Sequence, residues 1–387
     1  MRSEAELVIA LSRTPIGSEA QNRVSRLLES GIDWDVVVRL VSEWRVEATV
    51  FGNLGSQFAG AVPPDVRIVV AALEKQSRAY TVSRTLILTN LVNELNRLGV
   101  PALVLKGPAT AVAAYGDCSR RIFYDADLLV HRADLARGRD ILLDSGYSAS
   151  FHAGLEDALI SGQHALEFSD SRMAVELHWT LLSRHLRFNV NVDDLWNESV
   201  VIECLDSRLR TLAPEHHFLY LCAHAAKHEW RLLRWICDVA QLCRRLSARQ
   251  AESVVALAEK THARRILSLG LRIVREFYGE EDSPFPPSAF RTEGETAPLV
   301  AVVKARLMSG AGQSPNLLPS SIGAMHEYME PLTFWLRSRE RLIDRVGSAA
   351  QFIFVPAASD TGRGQMQGML RPVRLAAKAL RHFAHAS

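Results

Sequence analysis

The sequence predicts an α+β protein in which a short mixed core of strands and helices lies between two helical regions. Three observations predict it. Apolar residues recur at helical spacing through roughly the first hundred residues, and again from Pro214 onward. Period-two alternation bounded by turn residues is confined to about residues 100–180. At 387 residues the chain is also too long for one small core. The expected segmentation is a helical region over 1–99, an α/β core over 100–200, and a helical region over 201–387 with loops near 280–298 and 356–370.

Taken in order, SEAQNRVSRLLESG reads as a helix with Ser18 as its N-cap and Gly31 as its stop. DWDVVVRLVSEWRVEATVFGNL follows with apolar residues on a helical repeat. Val66 to Gly99 reads as one long helix or two, closed by Gly99 and Pro101. ALVLK is a short apolar strand, and GPATAVAAYGD a turn into a short helix. RIFYDADLLV reads as a strand whose apolar face is Tyr124, Ala126, Leu128 and Val130, and ADLARGRDILLDSG as a helix. HALEFSDSRMAVELHW has the form of a β-hairpin turning at Ser169-Asp170-Ser171-Arg172. PEHHFLYLCAHAAKHEWRLLRWICDVAQLCRRL, ARQAESVVALAEK and HARRILSLGLRIVREFYG return to helical spacing. SGAGQSPNLLPSS and PAASDTGRGQMQG read as flexible stretches.

Composition narrows the function classes. Apolar residues make up 48% and charged residues 23%, and the formal charge is +2, so no nucleic-acid coat is indicated. Five scattered cysteines without CxxC spacing fit a reducing cytoplasm. The first residues lack the order of a signal peptide, and no apolar run approaches the ~20 residues a membrane span needs. GxSxG, GxGxxG and Walker A turns do not occur, which removes support for hydrolase-elbow, dinucleotide and P-loop chemistry.

The chemistry-bearing residues cluster in the mixed core. Asp125 and Asp127 are two apart on a strand and project from one side, where their like charges repel. In RMAVELHW, Glu176 and His178 likewise share one face with Ala174. Three carboxylates converging from adjacent strands suit a pair of Mg²⁺ ions, and metal charge would answer the repulsion. Lys106-Gly107-Pro108 ends a strand and opens a helix, a place where backbone N–H groups and Lys106 favour an anion. An ordinary strand-to-helix turn fits the same residues.

LVLKGPATAVAAYGD, RIFYDADLLV, VELHW and HAAKHEWRLLRWICDVAQL, in that order over about residues 30–245, resemble the bacterial uncharacterised nucleotidyltransferase family of the DNA polymerase beta-type superfamily. The resemblance implies that Asp125 and Asp127 bind both metals, Mg²⁺ or Mn²⁺ in its place. It implies that Glu176 is the third ligand and a candidate to take a proton from the attacking hydroxyl. Lys106 and Gly107 would meet the phosphates of an NTP; Arg121, four residues before Asp125, suits holding a triphosphate or, equally, a surface pairing with the acidic cluster. The superfamily turn usually carries serine, whereas Pro108 stands here. The acceptor, a small molecule or a peptide or protein, is specified by no residue.

His178, His224, His228 and Asp238 are weaker candidates for the substrate cleft. His224 and His228 are i, i+4, but Glu229 follows the second histidine, so the zincin HExxH pattern is absent. Trp230 and Trp235 read as core. Arg371, Arg374, Lys378 and Arg381 form a basic helical stripe that reads as solvated. Beside transfer stand three alternatives: a nucleotide-binding relative without catalysis, a metal-dependent phosphohydrolase built on the histidine helix, and a structural partner in biosynthesis.

Overall fold

The computed structural model describes residues 2–149, 163–279, 283–291, 293–309 and 333–354. The stretch PAASDTGRGQMQG, the basic stripe from Arg371 to Arg381 and most of SGAGQSPNLLPSS lie outside the described residues.

The α+β expectation holds. Helices flank a seven-stranded mixed sheet. Its strands are β1 (Ala102–Val104), β2 (Asp125–Val130), β3 (Ser148–Ala149), β4 (Ala165–Ser169), β5 (Ala174–His178), β6 (Val200–Cys204) and β7 (Ser207–Thr211). Their spatial order is β3-β4-β5-β2-β1-β7-β6. The predicted hairpin is β4–β5, antiparallel with Ala165 opposite His178 and Ser169 opposite Ala174. At its turn the Asp170 carboxylate accepts from the N–H groups of Arg172 and Met173.

Three local expectations need correction. Strands do not stop near residue 180: β6 and β7 continue the sheet, and the Thr211 hydroxyl donates to the Val104 carbonyl at 2.6 Å. In β6 alternation was hidden because the strand lies at the sheet's edge and leaves Val200 and Val201 exposed. Ser18 is the first residue of the helix Ser18–Glu29, and Gly17 is its cap. The helix Glu293–Met308 begins inside the stretch expected to be loop, because Leu299, Val300, Val303 and Leu307 bury an apolar stripe.

Pro64–Arg97 is a single helix. Its Leu88, Leu91, Val92 and Leu95 pack on one face of the sheet with Val104, Ala126, Leu128, Val130, Val175 and Leu177. Strand alternation sends the remaining residues to the other face, where Leu103, Leu105 and Leu129 join the core of the helical regions. Asp125, Asp127, Glu176 and His178 lie on that second face, toward the helices that follow the sheet. Tyr124 falls outside the strand and is 37% exposed, tilted against Tyr80 with Arg45 over its ring.

Glu47 opens the helix Glu47–Gln57, and its buried Oε2 has no hydrogen-bond partner among the described residues. Burial lifts its pKa from 4.5 to about 7 against the pull of Arg234 and Arg45. The folded state then holds a proton that the unfolded state has released, so stability falls as pH rises from 4.5 toward 7. Glu47→Gln is expected to stabilise the protein by on the order of 2 kcal/mol above that window and by little below it. Urea unfolding at several pH values measures the difference, and a pH-independent difference would contradict the assignment.

Candidate metal and nucleotide site

The site is assembled by strand register. β2 and β5 run parallel with Asp127 beside Glu176 and Leu129 beside His178. β1 runs antiparallel to β2, and the Leu105 N–H donates to the Asp127 carbonyl, carrying the chain past Val104 and setting Lys106 across from the acids. One carboxylate oxygen each from Asp125, Asp127 and Glu176 lies within 4.8 Å of the others. Asp127 forms the floor at 1% side-chain exposure, and Glu176 reaches the mouth at 32%.

Lys106 turns inward. Its Nζ sits 2.8 Å from Asp127 Oδ1 and 3.5 Å from His224 Nδ1. His178 Nε2 stands 3.3 Å from the same Asp127 oxygen and 3.2 Å from Glu176 Oε2. Burial opposes the charge on Asp127, but Lys106 and then His178 outweigh it and hold the carboxyl below its usual range. Burial also opposes charge on Glu176, yet His178 and Lys106 bring it down to about 2. A carboxylate held so low is ready to ligate a cation and is a weak base. Burial would discharge Lys106 and His178, and Asp127 reverses that in both.

The turn holding Gly107 explains itself sterically. Gly107 has φ +61°, and a Cβ there would stand 3.3 Å from the Phe123 ring. The helix Pro108–Tyr115 offers few backbone donors at its start: Pro108 has no N–H, and the Ala109 N–H donates to the Lys106 carbonyl.

The other predicted residues fall into two groups. Arg121 and Asp238 form a buried pair in which Arg121 Nε donates to both carboxylate oxygens at 3.0 and 2.8 Å, and Tyr115 Oη adds a third contact at 3.1 Å. They tie the residues before β2 to the helix Leu233–Arg245. His224 and His228 end the helix Pro214–Lys227 beside the site, their rings 4.8 Å apart and both against Trp235. Burial first, and then neighbouring lysines, keep both well below the ordinary histidine pKa. Trp230 is fully buried, as expected. Among the described residues, neither histidine belongs to a group spaced to hold a metal.

Two residues beside the acids escaped the sequence reading. Glu167 lies directly across from Glu176, and burial together with Glu176 raises its pKa. The alternation of Ala165, Glu167 and Ser169 in β4 was the signal that pointed to it. His164 precedes β4, where no alternation marks it; its spatial neighbour is His178.

The donor set suits a hard divalent cation. It is three convergent carboxylates, and no hydrogen bond of good geometry reaches the buried Asp127 Oδ1 among the described residues. A mixed sheet carrying Asp-x-Asp on one strand and an acid on its neighbour brings together carboxylates that could hold a metal ion. The chain belongs to the family described as "uncharacterised nucleotidyltransferase", which matches residues 30–279. That match carries a general nucleotidyl-transfer role. No curated protein matches the chain. Among the described residues no helix is long and apolar enough to cross a membrane.

Proposed function

We propose that the protein transfers a nucleoside monophosphate from an NTP to an acceptor and releases pyrophosphate, using Mg²⁺ or, in its place, Mn²⁺. The observation that carries this reading is the convergence of Asp125, Asp127 and Glu176 within 4.8 Å, close enough to grip shared cations. Asp125, Asp127 and Glu176 would hold the cation, which would supply Lewis-acid charge toward the triphosphate and the acceptor hydroxyl. Asp127 anchors it at the floor, while Asp125 and Glu176 complete the ligand set at the mouth. Catalysis then comes from positioning and charge neutralisation. Gly107 and Arg121 are proposed to face the phosphates. Lys106 acts through Asp127, holding that carboxylate ionised and in place. His178, His224, His228 and Asp238 wall or brace the cleft. The acceptor is a small molecule, peptide or protein, and the five buried thiols are consistent with a reducing cytoplasm.

Asp127→Asn tests the reading. With NTP, Mg²⁺ and a panel of acceptors, pyrophosphate release is expected to fall at least about a thousandfold while far-UV circular dichroism stays native. Retained release would sink the mechanism.

One observation favours a second reading, nucleotide binding without transfer. The Lys106 ammonium already contacts the Asp127 oxygen that a cation would use. Nucleotide titration with and without Mg²⁺, followed by a turnover assay, separates the two: saturable binding with no turnover supports the second.

A further inference from the structure

Glu176 is also the corner of a second group. One ligand atom each from His164, Glu176 and His178 lies within 4.8 Å of the others. His164 is carried there by backbone pairing, since its carbonyl accepts from the Trp179 N–H at 3.0 Å, just beyond β5. The two imidazoles meet edge to face with centroids 5.2 Å apart. Ser183 Oγ contacts His164 Nδ1 at 2.8 Å, the kind of outer hydrogen bond that orients a ligating histidine.

His178 supplies the independent observation. Its residue is 1% exposed, its Nδ1 makes no hydrogen bond among the described residues, and its Nε2 is held by ion-pair contacts alone. That Nε2 points at Glu176 and Asp127 from 3.2 and 3.3 Å. A cation bound between these groups would exchange the imidazole–carboxylate contacts for ligand bonds, taking the place of a ring proton. Two imidazoles and a carboxylate form an N₂O donor set. Mg²⁺ prefers oxygen alone, whereas zinc, cobalt and iron accept imidazole readily.

We propose that His164, Glu176 and His178 form a second cation site for a divalent transition metal, sharing Glu176 with the oxygen-only triad. The protein thereby holds two chemically different positions side by side, one hard and one nitrogen-rich. The site needs no nucleotide, so it stands apart from the transfer reading.

Co²⁺ is the probe, because its visible absorption and its binding are both measurable without turnover. The full chain is dialysed against Co²⁺ in excess Mg²⁺, which loads the oxygen triad. One Co²⁺ per chain is expected, and pulsed EPR of a Cu²⁺-loaded sample is expected to show imidazole nitrogen coupling. Asp125→Asn, which lies only in the oxygen triad, should retain that Co²⁺. His164→Ala should weaken it by more than the ~10–100-fold that even an outer-shell contact carries. If His164→Ala fails to fold, His164→Gln, which keeps the side chain's bulk, carries the same test. No Co²⁺ retained in Mg²⁺, no nitrogen coupling, or unchanged affinity in the folded histidine variant would each overturn the proposal. None of these outcomes depends on pyrophosphate release.

Discussion

Lys106→Met is expected to cost about 3–5 kcal/mol of stability at neutral pH, the range for removing one partner of a buried ion pair. The loss comes from Asp127 rather than from the lysine. With the ammonium gone, a carboxylate at 1% exposure keeps its burial penalty and loses the largest force opposing it. Its pKa must rise, so the deficit is largest where Asp127 stays ionised. It shrinks on acidification, because protonation then relieves the penalty. Urea unfolding of the wild type and variant at about pH 7 and about pH 4 reads the effect. Added Mg²⁺ is expected to stabilise the variant more than the wild type, since Asp127 Oδ1 no longer shares itself with Nζ. Equal stability at both pH values would show that Lys106 is not the counter-ion of Asp127.

The second large effect concerns Arg121 and Asp238, at 4% and 1% side-chain exposure. Either Asp238→Ala or Arg121→Met should destabilise by about 3–5 kcal/mol, because each strands a buried charge. The double replacement Arg121→Met with Asp238→Leu should recover much of that loss, since no uncompensated charge remains. A double variant as unstable as the sum of the singles would argue against a simple tether. This design also isolates the proposed role of Arg121 at the phosphates. In the restored double variant, a drop in nucleotide affinity reports direct contact, and unchanged affinity reports a brace alone.

Much of the fold was legible because strand and helix periods are local. The hairpin β4–β5, the long helix ending before Gly99 and the turn at Gly107 all follow from spacing and from glycine or proline at their ends. β6 was not legible, because an edge strand with exposed valines lacks the buried face on which alternation depends, whereas β7 carried the alternation in Leu209 and Thr211, buried in alternation with exposed Arg208 and Arg210. Glu167 carried a signal that passes unnoticed at an exposed position of a strand, and it matters only because Glu176 lies opposite. His164 carried none, since its neighbours are fixed by pairing beyond the strand.

Alternation along single strands by itself determined that Asp125 and Asp127 share a face and that Glu176 and His178 share another. Nothing local could say that these were the same face of one sheet. That was decided by the parallel register of β2 on β5, which sets Asp127 beside Glu176. The direction of Lys106 was likewise a tertiary matter. Its Nζ lies 2.8 Å from Asp127 Oδ1, a partner brought near only when β1 pairs with β2. Arg121 was drawn the same way to Asp238, over a hundred residues distant in the chain. Charges choose partners by proximity in space, and that proximity exists only once the sheet and the helices behind it have packed.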